Sequence, residues 1–497
     1  MILKRLLIFT SILWGVGYAY ADTLKAENGV KIIQLDEQKL IQYFQSGSSQ
    51  RQQVLANQFM QTYQRHAVDQ NYQWQWVSQI NHSDSDEEAI ASFIPTFGPT
   101  YTYQTGVQKK FSGGLSLDAR VFADQQSTVD GNIDEATRTG VTMDFSIDLW
   151  RNLFGRVDRA ELKDAKLSHE KSEIQSGINM HIAELELRKL YWNIVATRLK
   201  LDVTEELLKS SRQQLRDAQK RGRQYIADKG EVARYRAQVA SREAVLKNLE
   251  YQRDLYIQSL KSELPELLES EIQISVEELT DKYAAVYQCA NAIGNTSTVP
   301  WENTKIDELL DIVEQSYEQK KIISRRYSDL DIQLNTRLQY SGVEQGYADS
   351  LEEFSDNSKS GYQLGLSITV PLGSEDSKAK EAKEKSEYFM YLAEKTQLTG
   401  QVRAKHKQTV SMVHLLNQAI ASLNVNDKNL TTSIQSSRKK FRQARISLNN
   451  LLGEQDQLLN TKLTTIDTQL LVITTLYDYF QVFTDDPCIV NRIGGKS

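Results

Sequence analysis

The sequence predicts an α+β membrane protein: several copies share one β-barrel, and long α-helices continue that barrel as a coiled-coil tube. Three observations carry this expectation. The chain opens with an export signal, it contains four alternating segments of membrane-spanning length, and two proline-free stretches repeat apolar residues every seven positions.

Lys4 and Arg5 precede the apolar run LLIFTSILWGVGY, and Ala19-Tyr20-Ala21 is a small-x-small cleavage site, so residues 1–21 read as a secretory signal peptide. The run falls short of the ~20 residues that a spanning helix needs. Cleavage leaves Asp22 first, and losing Lys4 and Arg5 takes the formal charge from -6 to -8. That acidity argues against nucleic acid as a partner. No later segment is apolar enough for a membrane helix. An exported chain of this kind is either soluble beyond the cytoplasm or a β-barrel, whose alternating strands escape hydropathy scans.

The strands come in two pairs, within about 93–150 and 328–370. GVTMDFSIDL (140–149) sets Val141, Met143, Phe145, Ile147 and Leu149 on one face and Thr142, Asp144, Ser146 and Asp148 on the other. LSLDARVFA (115–123) is a weaker version. LDIQLNTRLQY (330–340) and GYQLGLSITV (361–370) repeat the design with Leu334, Leu338, Leu364 and Leu366. The linking segments 127–136 and 343–360 are polar and acidic. Lipid on one side and water on the other explains both faces. Four strands cannot close a barrel, since about eight is the smallest number that does, so copies must pool theirs. Trp74, Trp76, Phe93, Phe97, Tyr101 and Tyr103 suit either a membrane interface or packing between barrel and helices.

The six prolines leave 100–264 and 372–486 free for long helices. Leu187, Ile194, Leu201, Leu208 and Leu215 recur by sevens in the first stretch; Leu452, Leu459, Ile466, Ile473 and Phe480 do so in the second. A helix from about Arg156 to Gln224 would run roughly 100 Å. The chain also repeats itself: Gly140 corresponds to Gly361, and RQYIADKGEV (223–232) to RQARISLNNL (442–451). The expected organisation is a first repeat at 22–262 (opening helices, strand pair, helical hairpin about 156–262), then an inter-repeat segment at 263–305. A second repeat follows at 306–484 (helix, strand pair, hairpin about 375–484), then a tail at 485–497.

Cys289 and Cys488, the two cysteines, are either a pair allowed by an oxidising compartment or two separate thiols. The six histidines have no metal-ligand spacing, and no hydrolase, protease or nucleotide-binding motif occurs, so no enzyme activity, cofactor or metal is expected.

Taken together, the signal, the duplicated strand–hairpin units, DLWRNLFGR (148–156) at a strand-to-helix junction, and KKFRQARISLNNLLGEQDQLLNTKLTTIDTQLLVITTLYDYF (439–480) resemble the TolC family of outer-membrane efflux proteins. The resemblance implies a homotrimer with a twelve-stranded barrel, four strands per protomer, and a long periplasmic α-helical tunnel. It further implies an equatorial domain that brings Cys289 and Cys488 together and favours their disulfide. Implied partners are a periplasmic adaptor, an inner-membrane transporter and outer-membrane lipid.

In the family, the helix-to-helix turns form the periplasmic tip that meets the adaptor; the matching positions here are Arg223, Gln224, Tyr225, Ile226, Gln443, Ala444 and Arg445, without the family's glycine in either turn. The gate residues carried over are Glu231 as the acid and Phe441 as the aromatic ring, with Ile446 where a base is expected, beside Arg445 and near Arg442. Asn450 and Gly453 fall where an acidic ring narrows the pore. Arg221, Arg223, Arg438, Lys439, Lys440, Arg442 and Arg445 crowd the two turns, as either a solvated helix face or a positive collar for an adaptor or for anions. The expected function is that of a passive exit duct of a tripartite efflux pump or type I secretion system. The heptads alone would equally suit a soluble periplasmic scaffold or adaptor.

Overall fold

The structure is a computed structural model that describes residues 23–25, 31–84, 97–128, 135–224, 228–274, 278–294, 298–301, 304–326, 330–370, 372–443 and 445–483. In chain order its first elements are β1 (Thr23–Lys25), β2 (Lys31–Leu35), α1 (Glu37–Gly47), α2 (Ser49–Gln70), β3 (Gln75–Ser83), β4 (Phe97–Phe111), β5 (Leu115–Thr128) and β6 (Glu135–Asp148). They are followed by α3 (Arg156–Arg223), α4 (Lys229–Glu263), β7 (Ser270–Ile274), α5 (Glu278–Gly294) and α6 (Ile306–Arg326). The last are β8 (Asp331–Glu344), α7 (Tyr347–Asn357), β9 (Lys359–Thr369), α8 (Ser374–Arg442) and α9 (Leu448–Phe480). Two compact units result: Met1–Leu55, Ile178–Thr304 and Val402–Ser497 form one, Ala56–Gly177 and Lys305–Gln401 the other.

The second unit is built on a six-stranded antiparallel sheet in the order β3-β4-β5-β6-β8-β9. Because side chains alternate along each strand, register decides which residues share a face. One row across the sheet runs Tyr362, Leu338, Met143, Ala119, Val107, Trp76; another runs Leu366, Leu334, Ile147, Leu115, Phe111. On the opposite face the row is Gln363, Arg337, Asp144, Asp118, Gln108, Gln75. The polar face satisfies itself across strands. Arg337 Nε donates to Asp144 Oδ1 at 2.6 Å, Arg120 Nη1 to Gln104 Oε1 at 3.3 Å, and Gln108 Nε2 to Gln75 Oε1 at 2.7 Å.

The sequence expectation of four strands per protomer is corrected here to six. The strands missed, β3 and β4, mix Trp76, Ser78, His82, Tyr101, Tyr103 and Thr105 with the aliphatic Ile80 and Val107 on their apolar face, which hides the alternation. Polar atoms on that face pair among themselves: Trp76 Nε1 donates to Thr105 Oγ1 at 2.7 Å. The interval 343–360, read as a polar loop, contains α7, which packs on β6 and β8. Gly342 permits that approach, since a Cβ there would lie 2.3 Å from the Phe354 nitrogen.

The strand-to-helix junction in DLWRNLFGR is tied by Asp158, whose side chain is buried. It accepts from Lys110 Nζ at 2.6 Å, Asn152 Nδ2 at 2.6 Å and Tyr72 Oη at 3.1 Å. Asn152 Oδ1 in turn accepts from the Val157 and Asp158 amides, closing the first turn of α3. Gly155 has φ +68°, and a Cβ there would sit 1.9 Å from the Ser112 carbonyl oxygen, so the β4–β5 turn and the junction touch backbone to backbone.

In the first unit the heptad positions are the buried ones, as coiled-coil packing requires. Leu187, Ile194, Leu201 and Leu208 of α3 and Leu452, Leu459, Ile466, Ile473 and Phe480 of α9 are all buried. A small sheet β1-β2-β7 joins the start of the chain to the segment between the repeats, with Ile33 opposite Ile272. Beside it Glu37 accepts from Lys282 Nζ at 2.7 Å and from Tyr477 Oη at 2.5 Å, while Trp192 Nε1 donates to Tyr477 Oη at 3.2 Å. Arg188 stands 3.9 Å from the same carboxylate. Burial alone would raise the Glu37 pKa, yet Lys282, Tyr477 and Arg188 hold it below the usual carboxylate value. Cys289 is buried on α5, and Cys488 lies outside the described residues. Among the described residues no helix is long and apolar enough to cross a membrane.

Candidate functional site at the helical turns

The two helical hairpins meet at their turns. Ala218 of α3, Tyr235 of α4, and Leu448 and Leu452 of α9 form one buried cluster, with Leu215, Val232 and Phe441 packed against it. Sequence dictates where the helices stop: α3 ends in Lys220, Arg221 and Arg223, and α8 in Lys439, Lys440 and Arg442. Cations in a last turn oppose the partial negative charge of the unpaired carbonyls, at roughly 0.3–1 kcal/mol each. The Ser447 side chain accepts from the Asn450 amide at 3.4 Å and opens α9.

Glu231, the acid expected from the sequence, is half-buried and pairs with Arg221 of the same hairpin. The Arg221 guanidinium lies 5.9 Å from the Phe441 ring centre, across to the second hairpin. An acid, a base and an aromatic ring are therefore joined here, but the base comes from α3. Ile446, at the position where a base was sought, is half-buried and follows the turn; Arg445 and Arg442 are exposed. Tyr235 completes the group: burial first, and then Glu231, raise its phenol above the ordinary value, against the lowering pull of Arg221 and Arg438.

Of the expected contact positions, Arg223, Gln224, Gln443 and Arg445 are exposed, and Tyr225, Ile226 and Ala444 lie outside the described residues. Asn450 and Gly453 are exposed on α9, and a Cβ at Gly453 would meet open space. Arg438, Lys439, Lys440, Arg442 and Arg445 are exposed, and among the described residues none of them forms a salt bridge. A shallow groove between α3 and α4 is lined by Gly222, Arg223, Lys229, Val232, Ala233 and Arg236. It combines a small apolar floor with cationic walls.

Deeper in the bundle the sequence reading missed a second polar contact between hairpins. Arg242 of α4, 2% exposed, donates to the Leu207 carbonyl at 2.8 Å and reaches Asp456 of α9 at 3.2 Å. Burial lowers its pKa and Asp456 partly restores it. The only sequence signal is an arginine inside a heptad helix, which reads as an exposed residue until the register is known. Ser437 Oγ donates to Glu454 Oε1 at 3.0 Å, a further link across the second turn.

No protein-family model matches the sequence, and no curated protein matches it. Solved structures do. The outer-membrane channel CmeC of Campylobacter jejuni is matched with a TM-score of 0.65 and 10% identity, over 90% of this chain and 86% of that one. The outer-membrane protein VceC of Vibrio cholerae gives 0.61 and 12% over 89% and 95%. The outer-membrane channel MtrE of Neisseria gonorrhoeae, in its open state, gives 0.58 and 13% over 90% and 88%. With the six-stranded two-faced sheet and the paired helical hairpins, these likenesses establish that the chain has the fold of the TolC-family outer-membrane channels.

Proposed function

We propose that this chain is a passive exit duct in the outer membrane, the outermost part of a tripartite efflux pump. One observation carries the reading: β5, β6, β8 and β9 keep an apolar row on one face and a polar, largely charged or amide-bearing row on the other, and β3 and β4 continue both faces with Trp76, Ile80, Tyr101, Tyr103 and Val107 on the first and Gln75, Gln79, Gln104 and Gln108 on the second. Lipid against the first and a water-filled lumen against the second is the arrangement that satisfies both. A soluble scaffold would leave Trp76, Tyr362, Leu364 and Leu366, all exposed, facing water.

The duct works as a homotrimer, with an adaptor at the cationic turns and an inner-membrane transporter that supplies energy and chooses cargo. Small molecules and, in a type I secretion assembly, polypeptides both fit such a duct. It makes and breaks no bond. The Arg221–Glu231 pair with Phe441 holds the two hairpins together when the duct is shut. Pairing of Cys289 with Cys488 belongs to the same reading and would close a loop worth roughly 5 kcal/mol.

Expression in a strain lacking its own outer-membrane channels tests the proposal. The expected result is an outer-membrane trimer that restores resistance to a pump substrate and gives discrete conductance steps in planar bilayers. A monomer that stays dissolved without detergent, or a well-folded trimer that is silent in bilayers, would overturn it.

A further inference from the structure

Resting on the outer-membrane reading, we propose that β9 of one copy pairs edge to edge with β3 of the next, so that the trimer closes an eighteen-stranded barrel instead of the family's twelve. Among the described residues each of these strands is hydrogen-bonded on one side only, β3 to β4 and β9 to β8. Both therefore present a row of unpaired backbone N–H and C=O groups. In hydrocarbon each such group costs several kcal/mol, so an open edge does not survive there. One chain cannot close on itself, because six strands fall below the roughly eight that enclose packed side chains.

Direction permits the joint. Five antiparallel steps separate β3 from β9, so the two run opposite to one another, and a head-to-tail contact between copies continues the antiparallel pattern. Lengths match, at nine and eleven residues. The faces also continue. The exposed apolar residues of β3, Trp76 and Ile80, share the lipid side with Tyr362 and Leu364 of β9. On the lumen side Gly361 and Gly365 leave open space or no closer contact than 4.0 Å, room for the long amides Gln75 and Gln79 of the neighbouring copy, and no like charges are opposed.

The added hairpin is anchored at its base. Asp158 holds Tyr72, just before β3, and Lys110 on β4; Trp74 packs edge-on against Phe111 at 6.3 Å. Barrel diameter grows roughly linearly with strand number, so the outer opening would be about one and a half times that of a twelve-stranded barrel.

The test is disulfide trapping in native outer membranes on the full chain. Val77→Cys is combined in turn with Gln363→Cys, Gly365→Cys and Ser367→Cys, with the unsubstituted protein as blank and an electron cryomicroscopy map of the purified channel as second readout. Expected are covalent trimers from one of the three pairs, absent from both single variants, and eighteen strands in the map. A twelve-stranded barrel, whether from three copies with β3–β4 outside it or from two copies, overturns the proposal and leaves the duct reading standing. Absence of the protein from the outer membrane overturns both.

Discussion

Arg221 is the residue on which the two hairpins converge, through an ion pair to Glu231 and a face-on contact with Phe441. Removing it in Arg221→Ala deletes a charge-assisted hydrogen bond and a cation–π contact of about 1 kcal/mol together, once the partial exposure of Arg221 is allowed for. That corresponds to a roughly fivefold shift toward the open state, to be read as a longer open dwell time in single-channel records. Glu37 makes a second prediction. Its folded pKa is depressed, so the stability it contributes is complete above its ordinary value of 4.5 and is lost as pH falls through the folded one. The Tm of the wild type should therefore drop on acidification below about pH 4.5 more steeply than that of Glu37→Gln. At neutral pH the variant should already be weaker by about 3 kcal/mol, because Lys282, 12% exposed, loses the carboxylate that it donates to, while Arg188 keeps Glu184. The Glu37 network is not legible from sequence, and at the turns Glu231 and Phe441 are named from sequence but Arg221 as the group between them is not. Glu37 and Tyr477 lie 440 positions apart, and Arg221 was read as one cation among seven until the turn brought it against Glu231.

At the level of elements, the sheet offers a sharp comparison between neighbouring residues. Met143 belongs to the apolar face and Thr142 to the polar one. An arginine at Met143 should cost about 2–4 kcal/mol if lipid covers that face, whereas Thr142→Arg places its charge in water and should be nearly neutral. Outer-membrane trimer yield and the temperature at which the trimer melts on a gel separate the two; equal effects would contradict the assignment of faces. β6, β8 and β9 were readable because their apolar residues alternate with few breaks, as in Val141, Met143, Phe145 and Ile147. β3 and β4 were not, since Ser78, His82, Thr105 and Lys109 interrupt the same face and Pro95 and Pro99 stand just before or within it. The heptads of α3 run to Leu215, close to the basic last turn of Lys220, Arg221 and Arg223.

For the whole molecule, periodicity reported the class of fold well, whereas the strand count had to come from register. Alternation and heptads are properties of single segments and survive in a sequence at 10–13% identity to its structural relatives. How many strands share one sheet depends on pairing between distant segments, such as Thr142 with Gln339, which no local pattern encodes. The junction at Gly155 has a mechanical consequence of this global kind. With the Ser112 carbonyl pressed against it and Asp158 clamping Lys110 and Tyr72, the start of α3 has no slack. It behaves as a welded joint rather than a hinge, so twisting the first turns of that helix must drag the β4–β5 turn along. Any iris-like dilation has to draw its freedom from positions farther down the chain.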